Sequence, residues 1–192
     1  MQIASSRRSP QPKRSKLASA LHPKTEDHSL ASAATHSLLE GADSFLHAAH
    51  LGEAFHRLQS GAKIGIGAFS LIRGTKGLIH GKSVAAKLEA SASVGLGVAS
   101  FASFLPGGFG STVNTAAQSV RGVAETALGI VQLKDSANSL RKGREIARGT
   151  LNTAKGLTTF LPLVAPQTSQ AVGALHLGIV GVNFALDVVG RR

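Results

Sequence analysis

Two uncharged runs of 31 residues, 90–120 and 156–186, dominate the hydrophobic pattern of the chain. Each run consists of an apolar arm, a Phe-Leu-Pro corner and the beginning of a second arm. Apolar positions at helical spacing in these arms predict helices. We therefore expect two apolar helical hairpins, at about 83–134 and 137–190. Their corners are Phe104, Leu105 and Pro106 in the first hairpin and Phe160, Leu161 and Pro162 in the second.

The second arm of the first hairpin has a regular helical pattern after Ser111 or Thr112, both good N-cap residues. Polar residues such as Arg121 and Glu125 lie opposite its apolar positions, which places them on the predicted solvent side. The apolar positions predicted to face the core are Val113, Ala116, Val120, Val123, Ala127 and Ile130. A stripe of small residues predicts a close contact with another helix. That stripe is Ser119, Gly122, Thr126 and Gly129.

A basic helix is predicted at about 137–160, where apolar positions such as Leu151 and Leu157 oppose a line of cations. That line is Arg141, Arg144, Arg148 and Lys155. An exposed basic face of this kind suits an anionic membrane surface or nucleic-acid phosphates. It is also the ordinary solvated face of a soluble helix. Nucleic acid is the least favoured partner, because the residue clusters that read bases or stack on them are missing.

Residues 1–30 differ in composition from the rest, with three of the six prolines, many serines and few large apolar side chains. Too little apolar surface is present there to offset the entropy of ordering, so we expect a disordered basic tail. The remainder, 31–192, is predicted as one all-α domain, a bundle of helical hairpins. Its first helix is expected from residue 31 to about Ser60, with a kink or an end at Gly52 as the alternative. In the Gly-rich segment that follows, Ile64, Ala68, Leu71 and Leu78 could line one helix face, and Ser83 begins the next helix.

Composition and charge narrow the function classes. The net charge of +11 favours anionic partners, and the absence of Cys removes disulfides, thiol nucleophiles and thiolate metal sites. No segment offers the ~20 strongly apolar residues of a clean transmembrane helix. The most apolar arms, 90–105 and 171–186, hold 16 residues each. As helices they are about 24 Å long, so they would enter lipid as re-entrant or oligomeric hairpins.

Candidate chemistry is sparse along the chain. His47, His50 and Glu53 are spaced by threes, and imidazole and carboxylate suit zinc. A solvated polar face explains the same residues, because three-residue steps rotate around a helix and keep only two or three ligands on one side. The segment 77–83 has three residues between its glycines where a phosphate-binding loop needs four. We identify no catalytic constellation and predict a non-enzymatic protein without a cofactor.

The first residues, Met1-Gln-Ile-Ala-Ser-Ser, begin an uncleaved, Ser-rich amphipathic start that a Pro-containing segment follows. In this the chain resembles effectors and translocators exported by bacterial type III secretion systems. The resemblance implies secretion, a secretion chaperone on the N-terminal region, and Gly/Ala-rich apolar helices that act on a host membrane or a host protein. The rival interpretation is a soluble, cytoplasmic helical scaffold that self-associates and whose hairpins bury each other.

Overall fold

The computed structural model describes residues 38–43, 45, 56–137 and 142–189, with only the backbone of residues 56–58. Within these ranges the chain is helical apart from its connections and contains no β-strand, which confirms the predicted all-α class. The helices are α1 His56–His80, α2 Val84–Ala102, α3 Gly107–Ser136, α4 Lys142–Thr158, α5 Leu161–Val164 and α6 Ser169–Val189, with a 3₁₀ turn at Pro166–Thr168. Residues 38–43 are also helical and are called the N-terminal segment below.

The long helices pack mainly against their neighbours in sequence. Helix α1 lies against α2, α2 against α3, and α3 against α4, while α4 also contacts α6. Helices α2 and α3 correspond to the first predicted hairpin, and α4 and α6 to the second. The predicted bundle of hairpins is therefore confirmed. The predicted tail, residues 1–30, lies outside the described residues.

Two predicted helix starts have different outcomes. Ser83 caps α2 as predicted, because the backbone N–H of Ala86 donates a 3.1 Å hydrogen bond to its hydroxyl oxygen. The predicted cap at Ser111 or Thr112 is wrong, since α3 already begins at Gly107. Gly107 has a φ of +55°, a left-handed conformation that glycine adopts readily, and it lets the chain turn directly after Pro106 into the helix.

The predicted helix end near Ser60 is also wrong, because α1 runs without interruption from His56 to His80. Close packing against α2 explains Gly67, Gly74 and Gly77, whereas a methyl group on Gly61 or Gly65 would meet nothing within 4 Å. A methyl group placed on Gly74 would lie 2.8 Å from the carbonyl oxygen of Ala90, and one on Gly97 would lie 2.9 Å from that of Gly67. The two helices approach too closely for side chains at these positions, and the packing gained offsets the lower helix propensity of glycine.

Candidate functional site: an ion network inside an apolar bundle

Five charged side chains meet in the interior of the bundle. The N-terminal segment supplies Glu40 and Asp43, α3 supplies Arg121 and Glu125, and α4 supplies Lys155. All five are buried, with Arg121 and Lys155 each only 3% exposed. These residues are called the ion network.

The ion network is held by short contacts between oppositely charged atoms. Arg121 donates to Asp43 at 3.1 Å and to Glu125 at 2.9 Å. The Lys155 ammonium lies 2.6 Å from a carboxylate oxygen of Glu40 and 3.0 Å from one of Glu125. The two negative residues of the N-terminal segment therefore bind cations that lie 78 and 115 positions further along the chain. Removing one partner from such a set leaves an uncompensated buried charge, which is strongly destabilising.

The orientation of α3 is the reverse of the predicted one. Arg121 and Glu125 were expected on the solvent side and are instead buried. Val120 and Val123 were expected in the core and are 52% and 62% exposed, and Ile130 is exposed as well. This face of α3 is buried because its partners lie inside the bundle. The glycines of α3 pack closely on a neighbouring helix, and its two buried charges pair with Asp43 and Lys155.

The predicted basic face of α4 is not a free surface. Lys155 is buried in the ion network, so its prediction as a contact to an anionic surface is wrong. Arg148 forms an ion pair with Asp187 of α6, and Arg144 lies 3.5 Å from Glu145. Arg141 lies outside the described residues.

Further polar side chains extend the ion network along the bundle. Thr159 donates to Glu125 at 3.4 Å, and the hydroxyl of Thr158 lies 2.9 Å from the Nε2 atom of His176 on α6. One to two turns away, Asn152 of α4 joins α3 to α6, because it donates to Gln132 at 2.8 Å and accepts from Asn183 at 3.0 Å. The Arg148–Asp187 pair follows at the end of this series. We call the whole series, from Asp43 to Asp187, the polar line.

Helices α3 and α4 touch along the predicted stripe of small residues. A methyl group on Gly122 would lie 3.0 Å from the carbonyl oxygen of Gly156, and one on Gly129 would lie 2.6 Å from that of Gly149. Thr126 donates within its own helix to Gly122, so its hydroxyl is satisfied inside the contact. Ser119 lies one turn earlier and donates to Thr115 on the exposed side of α3.

The α4 side of this contact repeats the spacing of α3. Glycine, threonine and glycine occur at steps of four and three in both helices, as Gly122, Thr126 and Gly129 in α3 and as Gly149, Thr153 and Gly156 in α4. Thr153 donates to Gly149 at 2.8 Å, just as Thr126 does to Gly122. The α4 half was missed from the sequence, although this shared spacing is a signal that could have found it.

The outer face of α6 is apolar. Every residue of α6 from Ala171 to Val189 that is exposed is Ala, Gly, Val, Leu or Phe. The polar residues in that range, His176, Asn183 and Asp187, point instead toward the rest of the bundle, where they bond to α4. The helix therefore has its polarity inverted relative to a surface helix of a water-soluble protein.

By length and composition alone, one helical stretch among the described residues, Pro166–Val189, is long and apolar enough to cross a membrane. Only 28% of its most apolar part is buried against other residues. The expectation that no segment is long enough was therefore wrong. The predicted arm ended before Asp187, but the helix continues past that residue, and the 21 residues of α6 span about 31 Å.

The two Phe-Leu-Pro corners differ in their surroundings. Phe104, Leu105 and Pro106 form an exposed turn between α2 and α3. In the second corner the ring of Phe160 packs over Gly122, while Leu161 is exposed and Pro162 half-buried at the start of α5. The second corner thus fixes the end of α4 on α3, whereas the first is a free surface loop.

The metal candidates His47, His50 and Glu53 lie outside the described residues. In the ranges that are described, no group of three or more His, Asp and Glu side chains is arranged to hold a metal ion. No known protein family, curated protein or solved structure matches this chain.

Proposed function

We propose that this protein is a membrane-inserted helical bundle without a catalytic role, which keeps its ion network inside and turns the apolar faces of α3 and α6 toward lipid. The single observation that carries the proposal is the inverted polarity of α6 and α3. In the middle of both helices the exposed positions are uncharged and the ionisable side chains face the interior, while the exposed charges of α3, Lys134 and Asp135, lie in its last turn. Ionisable residues within membrane-spanning helices face the bundle interior in the same way and pair with one another.

The helix contacts support the same proposal. Lipid chains are as apolar as Leu, so helices in a membrane gain little by burying large apolar side chains against each other. They associate instead through small residues that bring backbones close and through polar groups that bond across helices. The α3–α4 contact has both features, with glycines at Gly129 and Gly149 and the bridge from Asn152 to Gln132.

The inward position of the basic residues changes the expected mode of membrane binding. Lys155 and Arg148 are engaged inside the bundle, so binding should depend on the apolar surface more than on anionic lipid. Export by a type III system, with a chaperone on the tail and a host membrane as target, is the delivery route that the N-terminal resemblance implies. It stays a prediction, since residues 1–30 lie outside the described residues.

The test is flotation of the full chain with liposomes after detergent removal. We expect it to float with both neutral phosphatidylcholine and anionic phosphatidylglycerol vesicles and to resist a high-salt wash, because screening weakens only surface electrostatics. A Leu175→Asp, Val182→Asp double variant should float poorly, since each carboxylate at the centre of a spanning helix costs about 2.5–3.5 kcal/mol. Gln170→Asp, at the exposed start of α6, is the matched control and should float like the parent.

A folded, monodisperse parent that stays in the aqueous fraction would contradict membrane insertion. The apolar faces would then serve self-association, and the soluble scaffold would be the better account. Flotation that anionic lipid alone supports, and that high salt reverses, would reduce the proposal to surface binding.

A further inference from the structure

A cavity of about 400 Å³ lies where the end of α2 turns into α3, and it is called the polar cavity below. Its walls come from the N-terminal segment, α1, the last turns of α2 and the first half of α3. Hydroxyl and amide groups make up most of its side-chain lining, together with the ammonium of Lys63 and the carboxylate of Asp43. Among the described residues that line it there is no aromatic ring, and Leu105 is the only large apolar side chain.

Four polar side chains of the polar cavity have no partner within the protein. Lys63, Ser111, Asn114 and Gln118 form no hydrogen bond or ion pair with another described residue. Asp43, in contrast, is engaged, because its carboxylate accepts from Arg121 at 3.1 Å. Polar groups that are withdrawn from bulk water need partners. The polar cavity is therefore a place where a ligand can supply them.

The cation and the start of α3 lie at the same end of the polar cavity. Gly67 of α1 packs against Ser100 of α2, and the two helices run in opposite directions. Lys63, one turn before Gly67, therefore lies beside the last turn of α2. Gly110 of α3 packs against the carbonyl oxygen of Ala102 in that same turn. One end of the polar cavity is thus flanked by Lys63 and by the first turn of α3.

This end of the polar cavity is positive. The N-cap residue of α3, Pro106, forms no side-chain capping hydrogen bond, so no cap engages the first N–H groups of this 30-residue helix. The partial positive charge at a helix N-terminus favours anions, and Lys63 adds a full charge. The negative charge of Asp43 is compensated by Arg121, which lies 11 residues, or about 16 Å, beyond Gly110 on α3. A phosphate group fits the positive end.

The rest of the polar cavity suits hydroxyl groups. Asn114 and Gln118 follow Gly110 on one face of α3 at steps of four, and each amide offers both donors and an acceptor. Beyond them, Nη2 of Arg121 is buried without a hydrogen-bond partner. The volume is in the range of sites for small organic molecules and exceeds what a bare phosphate ion fills. The lining therefore favours a phosphate that carries a further polar group.

We propose that the polar cavity binds a phosphate ester of a polyhydroxy alcohol, of which glycerol phosphate is a simple example. The phosphate lies between Lys63 and the start of α3, and the hydroxyl groups bond to Asn114 and Gln118. The same chemical group exists as a soluble ester and as the head of phosphatidylglycerol. The proposal goes beyond membrane insertion and does not rest on it, because the lining belongs to the folded bundle in either case.

The test is calorimetric titration of the full chain in a nonionic detergent at constant ionic strength. The probes are glycerol 3-phosphate, inorganic phosphate, glycerol and dihexanoylphosphatidylglycerol, each corrected by titration into protein-free micelles. We expect glycerol 3-phosphate to bind more tightly than inorganic phosphate, and glycerol not to bind. Tighter binding of the lipid than of glycerol 3-phosphate would identify the lipid headgroup as the source of the ligand, and the opposite order would identify the soluble ester.

Two variants of the lining should weaken binding. Lys63→Gln should raise the Kd for glycerol 3-phosphate by about tenfold, because a charge-assisted hydrogen bond is lost. Asn114→Leu should raise it by about threefold or more without changing the net charge. Lys76→Gln is the matched control, since it makes the same charge change at an exposed position of α1 that does not line the polar cavity. It should bind like the parent.

Helical circular dichroism is measured on every variant, and Asn114→Leu decides if Lys63→Gln does not fold. Equal weakening by Lys63→Gln and Lys76→Gln would show diffuse attraction to a basic protein and overturn the site. Equal affinity for inorganic phosphate and glycerol 3-phosphate, or an unchanged Kd in folded Asn114→Leu, would overturn the assignment to a hydroxylated ester. A folded parent that binds none of the probes would overturn the whole proposal and leave membrane insertion to the flotation test.

Discussion

The α1–α2 pair and the α3–α4 pair are both joined through glycines, but they differ in what they bury. Between α1 and α2 the buried polar residues of α2 are serines, and Ser93 and Ser100 each donate to a carbonyl of their own helix. Between α3 and α4 lie Arg121, Glu125 and Lys155, which need partners from other elements. The buried serines of the first pair are therefore satisfied within their own helix, while the buried charges of the second pair also need Glu40 and Asp43 of the N-terminal segment.

This difference separates two contributions to the fold. Small residues set how closely two helices approach, and they do so in both pairs. Buried charges determine which further segments must be present, because Glu40 and Asp43 satisfy cations on α3 and α4. The α3–α4 pair therefore depends on contacts with other segments for its buried charges.

The largest expected effect comes from removing one buried cation. Lys155→Met leaves Glu40 and Glu125 without their shared partner and should lower the free energy of unfolding by about 3–5 kcal/mol. Arg73→Met is the matched change in the other pair. Its side chain and that of Glu89 are 22% and 28% exposed, so the cost should be about 1 kcal/mol or less. Denaturant titration in mild detergent, followed by circular dichroism, measures both.

An equal loss of unfolding free energy in Lys155→Met and Arg73→Met would contradict the proposed difference between the two helix pairs. They would show that the ion network is no more important to the fold than a half-buried pair at the edge of the bundle.

A smaller effect distinguishes contact glycines from free ones. Gly129→Ala places a methyl group against the backbone of α4 and should cost about 1–3 kcal/mol through overpacking. Gly65→Ala on α1 meets nothing within 4 Å and should stabilise the protein by about 0.4–1 kcal/mol through reduced freedom of the unfolded chain. The same titration measures this pair of variants. Stabilisation by both substitutions would mean that α3 and α4 do not touch at the small-residue stripe.

The sequence predicted the helices well, because apolar spacing and turn residues act locally. The hairpins, the Ser83 cap and the stripe at Gly122 all depend on residues within a few positions of one another. The start of α3 was predicted more than one turn too late, because a good cap residue, Ser111, follows a glycine that turns the chain earlier. Capping and turn preferences alone could not decide whether the helix begins at Gly107 or after Ser111.

The ion network could not be predicted in this way. The usual assumption that charges face water placed Arg121 and Lys155 outside, and their partners lie 78 and 115 residues away. The buried position of these charges could be predicted only by assuming that the charged residues of an apolar helix face the interior of the bundle. A signal for this arrangement was present in α6, where the polar residues His176, Asn183 and Asp187 recur on one side of an otherwise apolar helix.

The most direct test of the central claim asks whether the outer face of α6 contacts lipid. The chain has no Trp and no Tyr, so Phe184→Trp introduces a single emitting residue at an exposed apolar position. We expect its fluorescence to be quenched by lipids with brominated acyl chains and protected from aqueous iodide. Phe109→Trp, near the start of α3 and exposed, is the matched control and should be quenched by iodide. Equal iodide quenching of the Phe184→Trp and Phe109→Trp variants, with no effect of brominated lipid on the first, would contradict membrane insertion.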